Sequence, residues 1–153
     1  MTALVAALRA RGVALDGVLL KIAMVLPGNG CGSSSNDEEV ARVTMDTLQK
    51  SVPKDIGGIV YLSGGQGDDD AFRRLRAIAS LNTRAKEEKN GGAGTGCVVW
   101  PMSFSFGRAL QRAALKAWAG KADTETIRSA QRTLVEKCKL AAASTTLPLA
   151  TSS

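Results

Sequence analysis

Three short apolar runs punctuate the chain, each bounded by glycine or proline and each followed by residues whose apolar members recur at helical spacing. The first is Val18-Leu19-Leu20-Lys21-Ile22-Ala23-Met24-Val25, set between Gly17 and Pro27-Gly28. The second, Ile59-Val60-Tyr61-Leu62, opens after Gly57-Gly58 and closes on Ser63-Gly64-Gly65. The third is Cys97-Val98-Val99-Trp100, continuing through Pro101-Met102 to Ser103-Phe104-Ser105. Runs that are apolar at successive positions, and so on both faces, fit buried parallel strands better than half-exposed antiparallel ones.

The intervening segments read as helices. Ser35-Asn36-Asp37-Glu38 has capping-box spacing, after which Ala41, Met45, Leu48 and Val52 recur at helical intervals. Asp68-Asp69-Asp70 stands where a helix start favours negative charge, with Phe72, Leu75 and Ala79 as its apolar stripe. Leu110, Ala114, Ala117 and Trp118 share a face after the third run. A last helix from about Asp123 to Ala143 shows Ile127, Ala130, Leu134, Cys138 and Ala141, and Ala3 to Ala10 reads as the tail of a helix entering the first strand. Alternating strand and helix predicts an α/β fold of parallel βαβ units. Three strands cannot close an eight-stranded barrel. The pattern predicts one domain over 1–143. Residues 82–96, charged and glycine-rich, read as a flexible surface insertion, and 144–153 as a disordered tail.

Composition narrows the chemistry. The chain has 153 residues and no histidine, which removes a Ser-His-Asp triad, a Cys-His pair and any His-ligated zinc together. Cys31, Cys97 and Cys138 lie tens of residues apart without a CxxC, so neither a disulfide framework nor a metal knuckle is indicated. No metal or other cofactor is expected. No run approaches the ~20 apolar residues of a membrane span, and Arg9 and Arg11 interrupt the start too soon for a secretory signal, which predicts a cytoplasmic protein.

The net charge of +6 gathers in the last third, at Arg108, Arg112, Lys116, Lys121, Arg128, Arg132, Lys137 and Lys139. Only Trp118 accompanies these cations, and their spacing is helical. They read as a solvated helix face or a site for a small anion in preference to a nucleic-acid surface.

Lys21 is the chemical oddity, a lysine inside an otherwise apolar strand, pointing the same way as Leu19, Ala23 and Val25. Burial without a partner would cost it several kcal/mol or its proton, and a neutral lysine is a nucleophilic amine able to condense with a carbonyl. The equal alternative is an edge lysine with its stem covered and its head in water. Ser63-Gly64-Gly65 follows a strand and precedes a helix, where glycine amides can turn toward an anion such as phosphate. Taken alone, a plain glycine-rich turn is the better reading of this motif, and the aspartates that follow would repel an anion on their side. Ser105 and Arg108 hold the equivalent place after the third run; Arg108 opposes the helix dipole there, either to hold an anion or as the first of an exposed basic stripe. Ligands of α/β folds bind at the carboxyl ends of the strands, so these groups together describe a sugar-phosphate site.

Three segments carry a family likeness. LDGVLLKIAMVLPG resembles the Schiff-base strand of class I fructose-bisphosphate aldolases, EGxLLKPxMVTPG. IVYLSGGQGDDDAF resembles that family's LSGGQSEEEA, and FSFGRALQRAALKAWAGK is similar to FSYGRALQxSALKAWxGK. The likeness runs from about Asp16 to Lys121. It implies part of a (β/α)8 TIM barrel, about strands six to eight, and a lyase of glycolysis and gluconeogenesis. Such enzymes cleave fructose 1,6-bisphosphate to dihydroxyacetone phosphate and glyceraldehyde 3-phosphate without a metal. By resemblance Lys21 is the lysine that attacks the ketone. Ser63, Gly64 and Gly65 hold a phosphate, assisted by Ser105 and Arg108. The family also implies a homotetramer and, in some members, actin binding.

The departures are specific. Ile22, Ala23 and Leu26 replace the family's proline, asparagine and threonine, and Phe106 replaces a tyrosine. Segment 82–96 is longer than usual, and the family's C-terminal tyrosine has no counterpart. The family's first five strands, with the acid/base carboxylates and a second lysine, have no counterpart here either. The expectation is therefore an aldolase-type chain with little activity by itself. The competing expectation is a truncated relative retained as a binding protein.

Overall fold

A computed structural model describes residues 1–28, 30–32, 35–90 and 98–145. Helix α1 (Thr2–Ala10) and a short 3-10 turn (Leu15–Gly17) lead into β1 (Leu19–Ala23). Helix α2 (Asp37–Ser51), β2 (Gly58–Leu62), α3 (Asp68–Asn90), β3 (Met102–Phe104), α4 (Arg108–Trp118) and α5 (Thr124–Ala143) follow. The strands form one parallel sheet in the order β1-β2-β3, with Lys21 level with Val60 and Val60 level with Ser103.

The core lies on one side of this sheet. Leu20 from β1 and Ile59 and Tyr61 from β2 pack beneath Val40, Ala41, Met45 and Leu48 of α2 and Ala71, Phe72, Leu75 and Ile78 of α3. Thr44 is buried with them because its hydroxyl accepts the Val25 backbone N–H at 3.0 Å, tying the chain after β1 to α2. Gly57 makes the turn into β2 possible. Its N–H donates to the Leu15 carbonyl at 2.9 Å, so close that a Cβ would run into the Asp16 carbonyl.

Several sequence expectations change. The cap of α2 is Asn36, one residue later than the capping-box spacing suggests; its side-chain oxygen accepts the Glu39 N–H at 2.7 Å. The third run becomes strand only over Met102–Phe104. Upstream, side chains replace a neighbouring strand. Gln49 pairs with both the N–H and the carbonyl of Val98, Asn82 donates to the Trp100 carbonyl, and the Trp100 indole donates to the Pro53 carbonyl. Of the insertion expected at 82–96, residues 82–90 are helical, because Arg84, Ala85, Lys86, Glu87, Glu88 and Lys89 are strong helix formers and Asn82 is anchored. Residues 91–96 lie outside the described residues, as do Cys97 and 146–153 of the expected tail. Ser144 caps α5 and is buried, and Thr145 continues the turn beyond it. The stripe expected on α5 is covered only at Ala141, while Ile127, Leu134 and Cys138 are exposed.

Candidate functional site

The carboxyl ends of all three strands lie at one end of the sheet, and Lys21, Ser63, Gly64, Gly65, Ser105 and Arg108 lie on the strands or directly after them. In β1 burial alternates: Leu20 and Met24 are buried, Leu19 and Lys21 exposed. Lys21 therefore shares a face with Leu19, Ala23 and Val25, as its strand parity requires. The face itself is open. Burial of Lys21 among apolar neighbours, one of the two sequence readings, is not what this chain provides. Among the described residues no helix covers this side of the sheet, and Lys21 is exposed.

Ser63 directly follows β2, about 10 Å along the strand direction from the level of Lys21. It is buried, and its carbonyl accepts the Gln66 N–H at 3.2 Å in a turn whose third residue, Gly65, has φ +75°. That left-handed position favours glycine over any residue with a side chain. Gly64 is half-buried and Gly65 exposed. Beyond β3, the Ser105 N–H donates to the Tyr61 carbonyl at 2.8 Å, carrying the ladder past the strand and keeping Ser105 on the Ser103 side, level with β2's end. Arg108 is the first residue of α4, exposed, with no acidic residue in its first turn. Phe106 packs inward, 5.3 Å from the Phe104 ring and 5.9 Å from Phe72. The position where the family carries a phenol is here wholly apolar.

Two features escaped sequence reasoning. The three aspartates after the glycine turn are each held by a cation. Asp68 lies 3.4 Å from Arg112, Asp69 lies 2.8 Å from Lys137, and Asp70 binds Arg73, which also reaches Asp37 at 2.9 Å. Lys137 additionally sits 5.5 Å over the Phe72 ring. Its hydrogen bond and charge hold the Asp69 carboxyl below the usual range. The negative field expected beside the turn is thus largely compensated, and only helix pairing across the fold could reveal it. The second is Gln66, buried beneath the turn. Its oxygen accepts from Arg74 at 3.0 Å and its nitrogen reaches the Met24 sulfur at 3.6 Å. It links the turn after β2 to the segment after β1.

Chemically, the edge offers one strand-borne amine, a turn of glycine amides and a guanidinium, a set suited to a carbonyl compound bearing a phosphate. The family model Glycolytic, described as Fructose-bisphosphate aldolase class-I, matches residues 1–150. This chain belongs to that family. It is 38% identical over 139 residues to the probable fructose-bisphosphate aldolase class 1 of Xanthomonas campestris, covering 91% of this chain and 37% of that protein. It is 39% identical over 139 residues to a cytosolic fructose-bisphosphate aldolase of Arabidopsis thaliana, covering 91% of this chain and 34% of the relative. Among solved structures, the fructose-bisphosphate aldolase of Plasmodium falciparum, in complex with TRAP and a small-molecule inhibitor, superposes with TM-score 0.79 at 33% identity. That match covers 94% of this chain and 37% of the other. The chain thus spans little more than a third of the length of these three aldolases, and its three parallel strands are part of an aldolase TIM barrel.

Proposed function

We propose that this chain carries the imine-forming lysine and part of the phosphate grip of a fructose-bisphosphate aldolase, cleaving fructose 1,6-bisphosphate to dihydroxyacetone phosphate and glyceraldehyde 3-phosphate, and that alone it turns over little or no substrate. The observation that carries the reading is the sheet register. Lys21 lies two residues short of the β1 end, on the open face, at the same edge as the Ser63–Gly65 turn, Ser105 and Arg108.

In this reading the Lys21 Nζ adds to the C2 ketone, and loss of the new hydroxyl as water leaves an iminium. Breaking the C3–C4 bond then sends its electron pair into the iminium, giving an enamine, while the C4 hydroxyl proton leaves to a base. Lys21 is the only charged residue in β1, β2 and β3, so the strands here supply no carboxylate for that proton. Proton-transfer groups contribute ~10² to 10⁴ in rate each. Ser63, Gly64, Gly65, Ser105 and Arg108 hold a phosphate, with backbone amides and the guanidinium fork as donors. The Arabidopsis relative is named cytosolic, and among the described residues no helix is long and apolar enough to cross a membrane, which supports a cytoplasmic site of action.

Borohydride reduction in the presence of dihydroxyacetone phosphate tests the chemistry. A covalent adduct on Lys21, lost in Lys21→Met, is the expected result. Ordinary steady-state turnover by the 153-residue chain would refute its dependence on missing groups. The exposure of Lys21 favours a second reading, a non-catalytic binding protein, because among the described residues no apolar surround encloses its side chain. Absence of any adduct selects that reading.

A further inference from the structure

The turn after β2 contains two consecutive glycines, Gly64 and Gly65, so its own residues do little to fix its shape. A backbone hydrogen bond closes it, from the Gln66 N–H to the Ser63 carbonyl at 3.2 Å. What holds Gln66 therefore holds the turn. Gln66 is buried, and a buried amide oxygen needs a donor. Arg74 on α3 supplies it, Nη1 donating to Gln66 Oε1 at 3.0 Å. Arg74 is itself largely covered, its side chain 16% exposed, and a covered guanidinium needs a counter-charge. That charge is Asp37, the first residue of α2, whose Oδ1 lies 3.3 Å from Arg74 Nε. The other carboxylate oxygen, Oδ2, accepts from Arg73 Nε at 2.9 Å. Arg73 differs from its neighbour in two respects. Its side chain is 58% exposed, and its second bond goes to Asp70. Two adjacent arginines thus share one carboxylate, and it is Arg74 that continues from it to Gln66.

We propose that Arg74, held by Asp37, is a positioning residue that fixes the glycine turn and with it the direction of the amides offered to a substrate phosphate. The inference rests on the phosphate role of Ser63, Gly64 and Gly65 given above and deepens it. Support passes from Asp37 at the start of α2 to Arg74 in α3, then to Gln66 and the turn. The Gln66 Nε2, 3.6 Å from the Met24 sulfur, ties the same group to the segment that follows the Lys21 strand. Without Arg74 the Gln66 oxygen is buried with no donor, a costly state that the side chain relieves by turning out to water. The Gln66 N–H then leaves the Ser63 carbonyl, and the two glycines are free to sample many conformations. A phosphate must order them as it binds, which weakens its affinity.

Amide exchange and titration with inorganic phosphate, followed residue by residue by NMR in the 153-residue chain, test this. Arg74→Met is expected to speed exchange of the Gln66 N–H about tenfold and to weaken phosphate binding, read from the Gly64 and Gly65 amide shifts, by about as much. Arg73→Met removes the same charge from the same carboxylate and is the control, with both readouts expected to stay within about twofold of the parent. Asp37→Asn keeps Arg74 but takes away its counter-charge. It should move both readouts in the direction of Arg74→Met by a smaller factor, and it carries the test if that variant folds poorly. Equal losses in the two arginine variants would reduce Arg74 to general stability and overturn the proposal, as would unchanged Gln66 exchange in Arg74→Met. Phosphate that shifts neither glycine amide in the parent refutes the phosphate role of the turn. Fast Gln66 exchange in Arg74→Met, absent from Arg73→Met, would then still uphold the bracing, and its absence would overturn it.

Discussion

Gly57 shows how much a single residue can decide. Its N–H is bonded to Leu15 and its missing Cβ leaves room for the Asp16 and Val18 carbonyls, the latter 3.1 Å from where a Cβ would be. These obstacles are backbone atoms and cannot rotate away. Gly57→Ala is therefore expected to destabilise by about 2–3 kcal/mol in urea titration. Lys21→Met, on the open face, should leave the unfolding midpoint within about 0.5 kcal/mol of the parent while abolishing the trapped adduct. The Asp69 carboxyl, held low first by its hydrogen bond with Lys137 and then by that cation's charge, titrates below its unfolded value. Its contribution is complete above the unfolded value near pH 4 and is lost as pH falls through the folded one. Lys137→Met should flatten the acid limb of a stability–pH profile slightly, because the Asp69 side chain is 74% exposed and such pairs are worth little. At the other extreme, burial pushes the Tyr61 phenol well above its usual value. Neutral Tyr61 favours the folded state, so that stability is full below about pH 10 and declines above it. Tyr61→Phe should remove the alkaline decline.

At the scale of elements, periodicity located the five α-helices and three strands found among the described residues, and their ends moved where side chains competed with backbone. Asn36 displaced Ser35 as the cap because its amide oxygen reaches the third N–H of the turn. Asn36→Ala should cost about 1 kcal/mol, read as a lower thermal midpoint with unchanged fold. Helix α3 extends to Asn90, into the segment read as a loop, since charge and nearby glycines suggested an insertion while the helix propensity of 84–89 prevailed. The third strand shortened because Gln49 and Asn82 satisfy the backbone at Val98 and Trp100. That pairing is between residues tens of positions apart, and no local pattern announces it.

For the molecule as a whole, one covered sheet face and one open face explain most of what is unusual. The covered face holds the core, and the open one holds Lys21. Activity of the 153-residue chain by itself is expected to be at or near background in a steady-state cleavage assay. The family was legible from three segments. The compensation of Asp68, Asp69 and Asp70 by Arg112, Lys137 and Arg73 was not, because it joins α3 to residues in α4, in α5 and within α3 itself.

Alternation of apolar runs with helical stripes determined by itself that the chain is α/β, and strand parity determined which neighbours Lys21 faces. Whether that face is covered was decided only in three dimensions. Parity says which way a side chain points, but burial depends on what stands opposite, and among the described residues no helix stands opposite Lys21.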